Sequence, residues 1–297
     1  MNYDITILTA EQYLNPLQPD WYVSQILQED KLIQTALEQN GFRVHRIDWT
    51  NKRFDWSDTT AVLFRAVWDY TQRYEEFQKF LNTVSTQTTL INPLKTILWN
   101  LDKHYLHDLQ RRGINIPKTV YIEKGTHTSL ELLHKEWKFA DSILKPVMSA
   151  GARHTYRLNP NNRAEHEKIF QQLISEEAMM LQPFLHSVMT HGEVTLMVIG
   201  GKYTHAVLKK TKPGDFRVQD DYGGTVHAYS PTQVEIDFAE TTVAACTPMP
   251  VYARVDLLQD ENGNPAVSEL ELIEPELWFR FYPSAADRLA EEIQKMF

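Results

Sequence analysis

Residues Pro250 to Pro275 read PVYARVDLLQDENGNPAVSELELIEP. Two alternating runs are joined by Asn262-Gly263, the dipeptide that most strongly favours a tight β-hairpin turn. A two-residue turn there pairs Glu261 with Asn264, and counting outward sets Asp256 opposite Glu269 and Arg254 opposite Glu271. Strand side chains alternate between faces. Leu270 and Leu272 therefore point to a core, while Arg254, Asp256, Glu269 and Glu271 share the other side. Like charges directly opposite one another destabilise a sheet, and a buried unpaired carboxylate is costly. The Asp256 and Glu269 pair thus requires open water or a cation. One reading is a solvated face with surface ion pairs. The other is a site for a hard cation such as Mg²⁺, which oxygen ligands select, with Arg254 placed to meet a phosphate oxygen. Glu274 and Glu276 follow without an assigned role.

Upstream, the first third of the chain has a different rhythm. Tyr3 to Leu8, Phe42 to Ile47 and Ala61 to Arg65 read as short apolar strands. Between the first two, Tyr22 to Gln39 carries Ile26, Leu32, Ile33, Ala36 and Leu37 at helical spacing, stopped by Gly41. Such alternation predicts a parallel, doubly wound α/β sheet over residues 1–95. A helix is expected from Asn100 to Arg112, ended by Gly113, and from there the pattern becomes α+β. Strands fall in DSILKP and AMMLQPF, a hairpin turns at Gly200-Gly201, a helix spans Pro231 to Cys246, and an amphipathic helix closes the chain. The expectation is two domains, 1–95 and 96–297.

At 297 residues, 42% apolar and 11% aromatic, the chain is an ordinary globular sequence with room for a sizeable core. The net charge of −9 without basic runs argues against a nucleic-acid partner. Cys246 is the single cysteine, which excludes an internal disulfide and fits a reducing compartment. MNYDITILTA lacks the basic region of a signal peptide, and no stretch approaches the roughly 18 apolar residues of a membrane span. A soluble, cytoplasmic protein without a membrane partner is expected, with a homodimer left open.

No GxGxxG, Walker, HExxH, CxxC or GxSxG pattern occurs. Lys145, however, ends an apolar strand just before MSAGAR, where an ammonium and the backbone N–H groups around Ser149 and Gly151 could meet phosphates. Gln182-Pro183-Phe184 ends another buried strand and could leave backbone groups to pair with a ligand. KKTKPGDFRVQDDYGGT, Lys209 to Thr225, reads either as a solvated loop or as a lid closing over phosphates and substrate. In FRAVWDYT, Arg65 ends a strand of the parallel sheet and is followed by Trp68, Asp69 and Tyr70. Ligands bind beyond the carboxyl ends of such strands. An arginine there could clamp a carboxylate and Asp69 hold an amino group, which suggests a small zwitterionic substrate, with Arg217 as a second anion contact. A structural strand-to-helix turn is the competing reading.

In order, NLDKHYL, ILKPVMSAG, MLQPF, HGEVTLMVIGGKY, KKTKPGDFRVQ, ARVDLL and ELELIEP resemble the ATP-grasp superfamily, over residues 92 to 282. FRAVWDYT, LWNLDKHYL, GDFRVQDDYGGT and LELIEPELWF are most similar to the glutathione-synthetase-like branch that contains the O-ureido-D-serine cyclo-ligase of cycloserine biosynthesis. The resemblance implies an ATP-grasp fold with an N-terminal Rossmann-like domain, a nucleotide-lid subdomain at about 116–184 and a catalytic subdomain at about 185–297. It implies that Lys103 and Lys145 reach ATP phosphates, and that Gln182, Pro183, Phe184 and Leu185 form the hinge against adenine. Ser149, Gly151 and Glu193 fall in the nucleotide site. Arg254, Lys209 and Arg217 would be catalytic, and Asp256, Glu269 and Glu271 would hold two Mg²⁺, or Mn²⁺. Where many relatives have Glu-x-Asn this chain has Glu-x-Glu, which leaves Glu271 and Glu274 as competing metal ligands. The implied activity is ATP-dependent ligation, or cyclisation, of a small carboxylate and an amine through an acyl phosphate. The alternatives are an ATP-grasp kinase and a nucleotide-binding module without turnover.

Overall fold

Short apolar strands separated by helices become a parallel sheet when both faces are covered, and the N-terminal region does this. The computed structural model describes residues 1–149, 151, 153–212, 214–218 and 223–297. Strands β1 (Tyr3–Thr9), β2 (Val44–Asp48), β3 (Thr59–Phe64) and β4 (Thr89–Ile91) form a parallel sheet in the order β2-β1-β3-β4. Ile5, Ile7, Ala61 and Leu63 pack on one face and Leu8, Val62 and Phe64 on the other. The helix Trp21–Gln39 begins at Asp20, whose side chain accepts the Val23 N–H. Its Ile33, Ala36 and Leu37 share a core with Leu289, Ala290 and Ile293 of the last helix, Ser284–Gln294. The amphipathic C-terminus therefore folds back onto the N-terminal sheet.

Two antiparallel sheets follow. β5 (Val120–Ile122), β6 (Ser142–Pro146), β7 (Tyr156–Leu158) and β8 (Met179–Pro183) are ordered β5-β8-β6-β7. β9 (Glu193–Ile199), β10 (Lys202–Lys210), β11 (Thr225–Tyr229), β12 (Tyr252–Gln259) and β13 (Pro265–Glu271) are ordered β11-β10-β9-β12-β13. Gly200 and Gly201 turn the β9-β10 hairpin with φ of 60° and 74°, a conformation that suits glycine. Among the described residues no helix is long and apolar enough to cross a membrane.

Three expectations need correction. The helix expected over Asn100 to Arg112 is two helices, Leu94–Asn100 and Tyr105–Arg111. In the turn between them Asp102 accepts the His104 N–H at 2.9 Å, and Lys103 is turned inward. Lys209, expected in the lid loop, lies on β10. Of that loop, residues 213 and 219–222 lie outside the described residues, as do 150 and 152 of the small-residue loop. The third correction concerns the hairpin turn. It is closed by Asp260, which donates its N–H to Asn264 O at 2.8 Å and accepts the Gly263 N–H at 3.0 Å, so the loop is one residue longer than Asn262-Gly263 alone would make it. Leu257 consequently faces Val267, and Ser268 then bulges, which restores Asp256 opposite Glu269 and Arg254 opposite Glu271. The extra loop residue and the extra strand residue cancel, so the pairing inferred from the shorter turn is the pairing observed.

Candidate active site

The sheet register builds a polar face residue by residue. Glu193 pairs with Lys209, Asp256 with Thr195 and Glu269, and Arg254 with Met197 and Glu271. Directly opposed residues share a side of the sheet, so Glu193, Lys209, Arg254, Asp256, Glu269 and Glu271 converge. One carboxylate oxygen from each of Asp256, Glu269 and Glu271 lies within 4.8 Å of the others. An all-oxygen set at that spacing fits a hard divalent cation.

Cations stand around these carboxylates. Arg254 donates Nε–H to Asp256 Oδ1 at 3.1 Å and Nη2–H to Oδ2 at 3.0 Å, and pairs with Glu271. Lys209 Nζ is 3.1 Å from Asp256 Oδ2 and pairs with Glu193. Lys103 Nζ is 3.2 Å from Glu269 Oε1 and donates to Ser149 O at 2.5 Å. Burial opposes ionisation of Asp256, yet Arg254 and Lys209 outweigh it and lower its pKa to about 2. Burial also opposes the charge on Lys209, but Asp256 and Glu193 outweigh it and raise its pKa. Glu271 is pushed up to about 8, chiefly by burial and by Glu269 beside it. Glu274, buried next to Tyr70, is raised to about 7 by burial. Lys145, on β6, is lowered by burial, with Lys103 adding repulsion and Glu269 opposing it. A cation and a polyphosphate placed among these groups would complete a set of charges that now compensate one another.

Trp278 belongs to the same face; it lies in LELIEPELWF, but no role is assigned to it from the sequence. It adopts φ 47°, rare for a bulky residue. The Arg254 Cζ lies 5.1 Å and the Lys209 Nζ 5.6 Å from its ring centroid. Its indole N–H is buried and has no partner among the described residues.

The hinge candidates sit at the end of β8. Gln182 is buried and donates to Thr119 Oγ1 at 2.9 Å. Pro183 ends the strand, and Phe184 donates its N–H to Asp141 O at 3.0 Å, so that amide is taken. The Leu185 N–H has no acceptor among the described residues. Phe184 packs with Ile143, Val188, Phe216, Val218 and Leu258, and Arg157 lies 3.8 Å from its ring centroid. This apolar patch, formed by β6, the segment after β8, β12 and the described part of the 211–224 loop, suits a flat heterocycle. Arg217, in that loop, binds Asp215 through Nε at 3.1 Å and Nη2 at 2.7 Å. Gly151 has φ 62°.

The substrate candidates are placed differently from expectation. Arg65 is buried; it pairs with Glu29 of the first long helix and donates to Pro275 O at 2.6 Å. Its Nε and Nη1 have no hydrogen-bond partner among the described residues and lie beside a small cavity lined by Ile26, Glu29, Asp30, Trp68 and Glu276. Asp69 accepts from Trp49 Nε1 at 2.8 Å and Arg73 Nη1 at 3.1 Å. Neither group is an open ligand clamp. Trp68 donates Nε1–H to Glu274 O at 2.9 Å, and Tyr70 stands against the Glu274 carboxyl. A larger open groove, between Lys202–Thr204 and Tyr282–Glu291, holds none of these residues.

Known proteins resemble this chain in sequence and in fold. Residues 5–92 match the family model described as D-cycloserine synthetase DcsG, N-terminal domain. Residues 115–247 match the prokaryotic glutathione synthetase ATP-grasp domain. The cycloserine biosynthesis protein DcsG of Streptomyces lavendulae is 30% identical over 274 residues, 85% of this chain and 88% of that protein. The crystal structure of D-cycloserine synthetase DcsG superposes with a TM-score of 0.86 at 27% identity, covering 98% of this chain and 99% of that one. The D-alanine–D-alanine ligase from Bacillus anthracis shares the fold, with a TM-score of 0.70 at 14% identity over 98% and 96% of the two chains. Fold and sequence relatives together define an ATP-grasp enzyme, an ATP-dependent ligase that forms C–N bonds. Within that class the chain belongs to the family of the cycloserine biosynthesis protein DcsG. ATP-grasp ligases use ATP with a divalent metal, generally Mg²⁺, and join small carboxylate and amine substrates.

Proposed function

We propose that this chain activates the carboxylate of a small amino-acid-like substrate as an acyl phosphate and lets an amine displace the phosphate, either within one molecule or between two. The observation that carries the reading is the all-oxygen cluster Asp256, Glu269 and Glu271, set among Arg254, Lys209, Lys103 and Lys145. Two Mg²⁺ held there would neutralise the β- and γ-phosphates and polarise the transferring group. Arg254 would stabilise the charge of the phosphoryl group, and Lys103 and Lys145 would hold the phosphates, with Ser149 and Gly151 in the loop that follows Lys145. Lys209, with Arg254, keeps Asp256 ionised, and its pairing with Glu193 orients that carboxyl. Gln182, Pro183, Phe184 and Leu185 hold the adenine, with the Leu185 N–H as donor. Arg217 closes over the phosphates from the 211–224 loop, and exclusion of water protects the intermediate.

On the substrate side, Trp68 and Tyr70 form the wall. Arg65 and Asp69 act behind it, fixing the loop from Glu274 to Phe279 and the turn after β3. In this reading residues 1–95 supply substrate contacts and residues 96–297 the nucleotide site, with the lid at about 116–184. The test is a panel of free amino acids, dipeptides and O-substituted D-serines, assayed for Mg²⁺-dependent ADP release and then by mass spectrometry. ADP accompanied by a new C–N bond is expected. A phosphoester with no new C–N bond would replace the ligase by a kinase.

A further inference from the structure

β13 is the outermost strand of its sheet, so one side of its backbone has no neighbouring strand among the described residues. Side chains take that neighbour's place. Asn100, the last residue of the helix Leu94–Asn100, donates Nδ2–H to Leu270 O at 2.8 Å and accepts the Leu272 N–H on Oδ1 at 2.8 Å. The Tyr105 hydroxyl accepts the Leu270 N–H at 2.9 Å, and Asn92 donates to Leu272 O at 2.7 Å. All three side chains are buried. The two leucines they hold flank Glu271, and Leu270 follows Glu269. Because successive strand residues face opposite sides, a backbone fixed at Leu270 and Leu272 aims both carboxylates.

The bulge makes this restraint matter. At Ser268 the pairing shifts by one residue, so the turn does not dictate the register of the strand beyond it. A one-residue slip would turn Glu269 and Glu271 toward the core. Asn100 pins the strand on the far side of the bulge. It also begins the turn that carries Lys103, whose Nζ reaches Glu269 and Ser149 O.

We propose that Asn100 is a positioning residue for the divalent metal: paired with both Leu270 and Leu272, it sets Glu269 and Glu271 so that both reach the ion together with Asp256. The proposal rests on the metal reading of those carboxylates. The test titrates the full-length protein with Mn²⁺ at saturating AMPPNP and reads protein-bound metal by water-proton relaxation, for wild type, Asn100→Ala, Tyr105→Phe and Glu269→Gln. Calorimetry in EDTA measures metal-free AMPPNP binding. Asn100→Ala should raise the Mn²⁺ Kd about 10–100-fold, the usual effect of removing a group that orients a metal ligand, with metal-free AMPPNP binding unchanged. Tyr105→Phe, which keeps the ring, should raise it by a smaller factor and stands in if Asn100→Ala does not fold. A wild-type Kd in the folded variant, or an equal loss of metal-free nucleotide binding, would overturn the role of Asn100 alone. Absence of Mn²⁺ binding to wild type, or wild-type binding in Glu269→Gln, would overturn the metal reading beneath it.

Discussion

Replacing Lys209 with methionine removes one buried ammonium and leaves two carboxylates facing each other. Lys209 is 5% exposed and Asp256 1% exposed, and Nζ lies 3.1 Å from Asp256 Oδ2 while also pairing with Glu193. At an effective dielectric near 20, one such attraction is about 5 kcal/mol before desolvation is subtracted. Removing one partner of a buried pair costs about 3–5 kcal/mol when the remaining charge is left uncompensated; here that charge is Glu193, since Asp256 keeps Arg254. Methionine keeps most of the apolar stem, so the loss is mainly electrostatic. Each kcal/mol moves Tm by roughly 2–4 °C in a chain of this size. Lys209→Met should therefore lower Tm on the order of 10 °C in scanning calorimetry at neutral pH without metal. Adding Glu193→Gln should recover part of the loss, since neighbours in one charge network couple by about 0.5–3 kcal/mol. A shift of less than about 1 kcal/mol, or simple additivity with Glu193→Gln, would refute the view that this lysine neutralises the face.

Three other substitutions or conditions probe separate parts of the structure. Arg65→Met should cost about 3–5 kcal/mol by leaving Glu29 buried and unpaired; an undiminished urea midpoint with only a raised KM would restore Arg65 as a direct substrate clamp. Gly192 has φ 91°, and a Cβ there would stand 2.5 Å from Lys209 O, so Gly192→Ala should lose about 1–3 kcal/mol of stability, and an unchanged urea midpoint would deny that close approach. His134 and His205 are buried as neutral rings, and burial holds both pKa values below 6.5. The unfolded chain takes up protons there that the folded chain does not. Stability from these groups is thus complete above about pH 6.5 and declines as pH falls below it. The double variant His134→Gln, His205→Gln should flatten the urea midpoint against pH, and an unaltered slope would refute the assignment.

Much of this arrangement was legible in the sequence because its signals are local. Period-two alternation and a turn dipeptide placed Asp256, Glu269, Arg254 and Glu271 on one face, although the loop and bulge that produce this pairing are each one residue away from the simplest count. Lys103, Lys145 and Glu193 also lie close enough to Glu269 to interact with it. What escaped depends on partners far apart in the chain. Nothing in FRAVWDYT announces that Glu29 will take Arg65, or that Trp49 and Arg73 will take Asp69. Asn100 ends an apolar helix in LWNLDKHYL, and a buried polar residue at a helix end was the available signal; its partners, 170 and 172 residues away, could not be read from spacing. Trp278 follows a charged, proline-containing stretch that gives no hint of its left-handed backbone.

In the proposed reaction a carboxylate oxygen of the substrate attacks the γ-phosphate on the face built by β12 and β13. Its most direct measurement uses a substrate from the active panel with ¹⁸O in the carboxylate, followed by mass spectrometry of the phosphate released. Activation as an acyl phosphate predicts a single ¹⁸O in each phosphate from the wild-type reaction, and no ADP or phosphate from Glu269→Gln of native fold. Phosphate free of ¹⁸O alongside a newly formed C–N bond, or full turnover by Glu269→Gln, would contradict it.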